Sequence, residues 1–183
     1  MVKMDFEEMS PAEQFRELWD EYMNGRPGGE ELLRWMEGNG FFEAPASAKH
    51  HGNFPGGLCR HTINVVFNAL DLCETPTFKG VDRREAACAA LLHDICKIGK
   101  YHLDSTGRYR FVDDRPLGHG AESVIMAQRF VHLSDAEMVA ILWHMGLYAD
   151  PDKASTLGKA YNTFPLAMLL HFADMMATYC NEK

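Results

Sequence analysis

The sequence predicts an all-α bundle interrupted by one small β-hairpin. Three observations carry that expectation: apolar residues recur at helical spacing behind N-cap signatures, the most apolar run is alanine-rich and lacks strand alternation, and one turn signal separates two short β-prone segments.

Ser10-Pro11-Ala12-Glu13 supplies an N-cap, a proline at the first helical position and a capping-box glutamate. Phe15, Leu18, Trp19, Tyr22 and Met23 follow at helical spacing, so an amphipathic helix runs to the break at Arg26-Pro27-Gly28-Gly29. A second short helix is expected over 30–37, with Leu32, Leu33, Trp35 and Met36, ended by Gly38 and Gly40. Residues 41–57 are rich in Pro, Gly and Ala and read as loop, and 58–73 is a helix with Ile63, Val66, Phe67 and Leu70 on one face. The alanine-rich segment 83–97 has high helix propensity and is the expected central helix. Asp104-Ser105-Thr106-Gly107 marks a turn between 101–103 and 108–112, the hairpin. Helices are then expected over 120–132, from the Ser134 N-cap to Met145, and over 165–180.

At 183 residues and 46% apolar content the chain is long enough for one compact domain with a sizeable core. The longest uninterrupted apolar run, 86–92, is seven residues, against the roughly 18 to 20 a membrane span needs. With Asp5, Glu7 and Glu8 close behind Met1, the start has neither the basic flank nor the apolar stretch of a signal peptide, so a cytoplasmic protein is expected. Five cysteines without a CxxC pair suggest neither a disulfide framework nor a thiolate zinc site. The net charge of −8 argues against wrapping long nucleic acid through a basic face. Residues 1–43 hold 11 acids against 4 bases, leaving 15 against 14 in the remainder. The expected organisation is an acidic helical cap, 1–43, packed on a core, 44–183.

Nine histidines are the informative feature. His61 opens a helix, His93-Asp94 follows the most apolar segment, His119 precedes a helix, His144 ends one, and Asp174 lies along the last apolar helix. An imidazole and a carboxylate directly after Ala89-Ala90-Leu91-Leu92 stand against the core, where unpaired charge costs several kcal/mol. A metal ion can partner several such groups at once, and imidazole with carboxylate suits Mn, Fe, Co or Zn in open, water-bearing sites. Singly, His119 and His144 read as helix-end residues; the ordered set is what points to a ligand shell.

The text Leu91-Leu92-His93-Asp94-Ile95-Cys96-Lys97, within a series of His, His-Asp and Asp, resembles the HD superfamily of metal-dependent phosphohydrolases. His50-His51-Gly52-Asn53-Phe54-Pro55-Gly56-Gly57-Leu58-Cys59-Arg60-His61-Thr62, Gly118-His119 and Leu169-Leu170-His171-Phe172-Ala173-Asp174 resemble the HD domain of 3′→5′ exoribonucleases that pair an OB-fold with an HD domain. Cys96 departs from the usual glycine and Arg60 from a common acid, and no OB-fold is present in the sequence.

The resemblance implies an HD-domain helical bundle in which His61, His93, Asp94 and Asp174 hold one divalent ion, with Asp94 bridging to a second held by His119 and His144. The ions would be Mn, Fe, Co, Ni or Zn. Two such ions, roughly 3.5 to 4 Å apart, share and acidify a water and clamp an in-line attack on phosphorus. Lys97, three residues after Asp94, is expected to be catalytic and to meet a phosphate oxygen. His51, His171, Lys100 and Tyr101 are the further substrate-binding candidates; Tyr109, Arg108 and Arg110 read as surface decoration that could also contact a base or phosphate. The expected function is hydrolysis of a phosphomonoester or phosphodiester of a nucleotide or short oligonucleotide, with no membrane and no long nucleic acid as partner. The alternative, a catalytically silent HD module that senses a nucleotide or binds a partner protein, would be expected to lose ligands, and all six are kept.

Overall fold

The computed structural model describes residues 6–49, 52–148 and 151–182, and their elements are eight α-helices and one two-stranded hairpin. Helix α1 spans Pro11–Tyr22 and α2 Gly29–Gly38; α3 spans Gly57–Cys73 and α4 Arg83–Leu92. Strands β1, Tyr101–Leu103, and β2, Tyr109–Phe111, pair antiparallel with Tyr101 opposite Phe111. Helices α5, His119–Ala127, α6, Asp135–Trp143, α7, Ala154–Thr163, and α8, Pro165–Met176, complete the bundle, and α8 runs into a π-helical turn, Ala177–Asn181. The all-α class and the small hairpin expected from the sequence are both found.

Local chemistry explains the starts of these helices. Ser10 and Ser134 each form a reciprocal capping box, with Glu13 and Glu137, and Asp82 caps α4 by accepting from the Glu85 backbone N–H at 2.9 Å. Helix α4 is buried all round: Ala86, Ala87, Cys88, Ala89, Ala90, Leu91 and Leu92 are each no more than 1% exposed. Its small side chains let α3 and α6 pack closely on it, and α8 packs on both α3 and α6. Phe15 and Trp19 of α1, with Leu32 and Met36 of α2, belong to the same continuous apolar cluster. Arg26, between those two helices, makes a two-pronged ion pair with buried Glu137 at 2.6 and 3.0 Å.

Predicted boundaries of four helices are corrected. Helix α4 stops at Leu92, because Asp94 leaves helical geometry at φ −118°, ψ 16°, and Ile95–Lys97 forms a separate 3₁₀ turn. Helix α5 begins at His119 and ends at Ala127, short of the predicted 132, and α6 ends at Trp143, with His144 as its C-cap. The last helix changes to π geometry after Met176. Helix α7 was not predicted at all: its sequence is polar, and only Leu157 and Ala160 are buried, in a satellite cluster with Trp143.

Candidate metal centre

Three helix ends, those of α4 and α6 and the start of α5, and two helix flanks, on α3 and α8, carry the candidate ligands. At the end of α4 the His93 Nδ1–H donates to the Ala90 carbonyl at 2.7 Å, and at the end of α6 the His144 Nδ1–H donates to the Ile141 carbonyl at 2.7 Å. A carbonyl only accepts, so each ring carries a proton on Nδ1, and its Nε2 is the atom left for the site. The last carbonyls of a helix lack intrahelical partners, so one bond both satisfies the helix end and orients the ring. On α3, His61 Nδ1 lies 3.1 Å from Glu182 Oε1, a carboxylate that fixes this ring in the same sense.

The Nε2 atoms and two carboxylates converge. His61 Nε2 lies 3.4 Å from His93 Nε2, 3.2 Å from Asp174 Oδ1 and 3.7 Å from Asp94 Oδ2. Asp94 Oδ2 is 3.3 Å from His93 Nε2, while Asp94 Oδ1 is 3.5 Å from His144 Nε2. Ligand atoms of His61, His93 and Asp94 all fall within 4.8 Å of one another, and the three residues are buried. Asp94 Oδ1 and His144 Nε2 are buried without a hydrogen-bond partner, a condition native interiors rarely tolerate. Imidazole nitrogens, carboxylates and orphaned buried atoms facing one point make a donor set that fits a divalent cation.

The electrostatics agree with that fit. Burial opposes charge on Asp94, yet the Lys97 ammonium, 2.6 Å from its Oδ2, and the His93 imidazole hold its carboxyl well below the usual range. Asp174 is likewise held low against burial by the bond to His61. Burial opposes the imidazolium of His61, but Asp174 and Glu182 outweigh it and push its pKa up to about 9. His119 goes the other way, because burial dominates and favours the neutral ring that ligation requires.

Above the cluster opens a cavity of about 620 Å³, lined among others by Asp94, Lys97, Tyr101, His119, Asp174 and Glu182. Of the sequence candidates, His61, His93, Asp94, His144 and Asp174 therefore meet, and His119 joins them at the cavity wall, with Nδ1 3.6 Å from Cys96 Sγ. The Cys96 thiol is pushed up to about 12 by burial and stays neutral. Tyr101 lines the cavity, with its hydroxyl 3.4 Å from the Ala46 carbonyl it donates to.

Two substrate-binding candidates are placed elsewhere. The buried Lys100 ammonium is 2.8 Å from buried Glu122 and 3.0 Å from exposed Asp114, so these carboxylates engage it and it does not line the cavity. His171 Nδ1–H donates to the His144 carbonyl at 2.6 Å, so His171 braces the turn that carries His144. His50 and His51 lie outside the described residues. Glu182 is the residue that sequence reasoning missed: it sits beyond the last helix, and only the π turn carries it back to His61 and to Asn64, whose amide donates to it at 2.9 Å.

The HD-domain pattern matches residues 58–176, from the second residue of α3 to the last residue of α8, and so includes all six candidate ligands. The chain belongs to the HD-domain family. A dihydroneopterin 2′,3′-cyclic phosphate phosphodiesterase from Methanocaldococcus jannaschii is 39% identical to the HD-domain chain over 80 residues, which are 42% of this chain and 32% of that relative. The match thus spans about a third of the relative's length. No solved structure matches the chain significantly. No helix among the described residues is long and apolar enough to cross a membrane.

Proposed function

We propose that this HD domain is a metal-dependent hydrolase of a phosphoester in a nucleotide or short oligonucleotide. The observation that carries the reading is the convergence of His61, His93, His144, Asp94 and Asp174 on one buried point beneath an open cavity, with Asp94 Oδ1 and His144 Nε2 left unpartnered. His61, His93, Asp94 and Asp174 would hold one divalent ion, and Asp94, His119 and His144 a second. When bound, such ions lower the pKa of water toward neutrality and offset phosphate charge.

The chain's own groups do the rest. Asp94 is locked in orientation by Lys97, whose pKa burial alone would lower but which Asp94 raises, so the ammonium stays charged at the cavity wall. There it meets a phosphate oxygen as charge develops. The Tyr101 hydroxyl, kept protonated by burial, lies on the same wall and would donate to the leaving oxygen on turning its proton away from the Ala46 carbonyl. The name of the Methanocaldococcus relative, a cyclic phosphate phosphodiesterase, favours a diester over a monoester.

The test is to purify the protein, count metal by emission spectroscopy, and assay an aryl phosphate, an aryl phosphodiester and a 2′,3′-cyclic nucleotide with added Mn²⁺. Turnover of a diester that His93→Ala abolishes is the expected result. A folded protein that neither takes up metal nor hydrolyses any of the three would overturn the reading.

A further inference from the structure

A second cavity, of about 710 Å³, lies between the loop that leads into α3 and the β-hairpin, with Lys49, Phe54, Leu103, Arg108, Tyr109 and Arg110 on its walls. None of these residues serves the chemistry derived above. The cavity adjoins the catalytic one along two stretches of chain. Ala46 and Ser47 line the catalytic cavity, and the next two residues, Ala48 and Lys49, line the second. On β1, Tyr101 lines the first and Leu103, two residues along on the same face of the strand, lines the second.

The wall chemistry is unlike the rest of this acidic chain. Among the described residues that line it are three cations and no carboxylate, on a protein of net charge −8. Arg110 is tied to Asp104 at 2.8 Å, whereas Lys49 and Arg108 pair with no carboxylate among the described residues. Phe54, 49% exposed, and half-buried Tyr109 both line the cavity. Free cations together with open aromatic faces fit a ligand that joins phosphate to a planar ring, since the cations take the phosphate and the rings stack on the base. An acidic peptide would use the cations and leave the rings without a partner.

We propose that this cavity is a second nucleotide subsite, holding the phosphate and base one linkage away from the scissile phosphate. The preferred substrate then has at least two nucleotide units, and the hairpin is a specificity element. This rests on the phosphohydrolase reading, and the experiment separates the two.

The double variant Lys49→Ala/Arg108→Ala removes exposed side chains and is compared with the unmodified protein on two substrates with Mn²⁺. One is bis(p-nitrophenyl) phosphate, which needs the catalytic cavity alone; the other is the 5′-phosphorylated dinucleotide pApA. The expected result is a KM for pApA raised about tenfold or more with kcat within about twofold, and unchanged kinetics on the aryl diester. Equal kinetics on pApA for both proteins, with the aryl diester still hydrolysed, would overturn the subsite and leave the phosphohydrolase reading standing. If the unmodified protein hydrolyses neither compound, that reading fails, and calorimetric titration of pApA into metal-free protein decides the subsite alone. Binding weakened tenfold in the double variant supports it, and equal binding overturns it.

Discussion

Asp94 is asked to serve two purposes, and Lys97 makes that possible. The carboxylate is 3% exposed and surrounded by imidazoles, so in the metal-free chain the Lys97 ammonium at 2.6 Å is the partner that keeps it charged. Replacing Lys97 by methionine is expected to lower kcat about 100-fold, the scale seen when one oxyanion-stabilising donor is lost, while bound metal measured by emission spectroscopy stays the same. Loss of metal together with rate would assign Lys97 to holding Asp94 alone. Glu182 acts one step further out, on His61 Nδ1 at 3.1 Å. Glu182→Gln is expected to weaken Co²⁺ affinity about 10-fold, as removal of such outer partners does, with an unchanged far-ultraviolet circular dichroism spectrum. Unchanged affinity would show that the carboxylate's charge is not used. The six candidate ligands are legible because imidazoles and aspartates stand out against apolar text. Glu182 is not, because nothing in Tyr179-Cys180-Asn181-Glu182 announces a π turn.

At the level of elements, the site depends on where helices stop. The alanine-rich sequence predicts a central helix running through to Lys97, since helix propensity continues up to the His-Asp doublet. What ends α4 at Leu92 is the doublet itself: His93 takes the Ala90 carbonyl with its side chain and Asp94 turns out of the helix. The capping serines and the hairpin were legible because their chemistry is local, whereas α7 escaped because it rests on Leu157 and Ala160 packing against Trp143 from another helix. Between α5 and α6 the decisive residue is Gly120, where a Cβ would overlap the Ile141 and Leu142 carbonyls. That close approach sets His119, at the start of α5, toward His144, at the end of α6. Gly120→Ala is expected to destabilise the fold by about 1 to 3 kcal/mol, the usual cost of overpacking, and to lower activity further than the residual folded fraction explains. Urea titration gives the first quantity and specific activity of the folded protein the second; full activity per folded molecule would show that the spacing of the two histidines is not critical.

For the whole molecule, the acidity of −8 and the proposed phosphate-binding role are reconciled by position. The 11 acids of residues 1–43 lie outside the matched HD domain, and the second cavity has no acidic lining among the described residues. The buried cluster then couples metal, proton and stability. His61 has a folded pKa of about 9 against an ordinary 6.5, so its contribution to metal-free stability is fully present below pH 6.5 and is lost as pH rises through about 9. Asp94 and Asp174 are held below their ordinary 3.8, so their contribution is present above that value and is lost as pH falls below it. Metal-free protein is thus expected to be most stable near pH 5 to 6.5 and to lose Tm toward pH 9. A divalent ion held by His61 as proposed would compete with the proton for its Nε2, so ion binding would release that proton and tighten as pH rises. Thermal melts at pH 6, 7.5 and 9, with EDTA or with Mn²⁺, check both signs. The Mn²⁺ increment should grow with pH, reaching about 2.7 kcal/mol where free ion is 100 times its Kd. An increment that is equal at pH 6 and pH 9 would mean that the ion does not displace the His61 proton, and His61 would have to be removed from the ligand set.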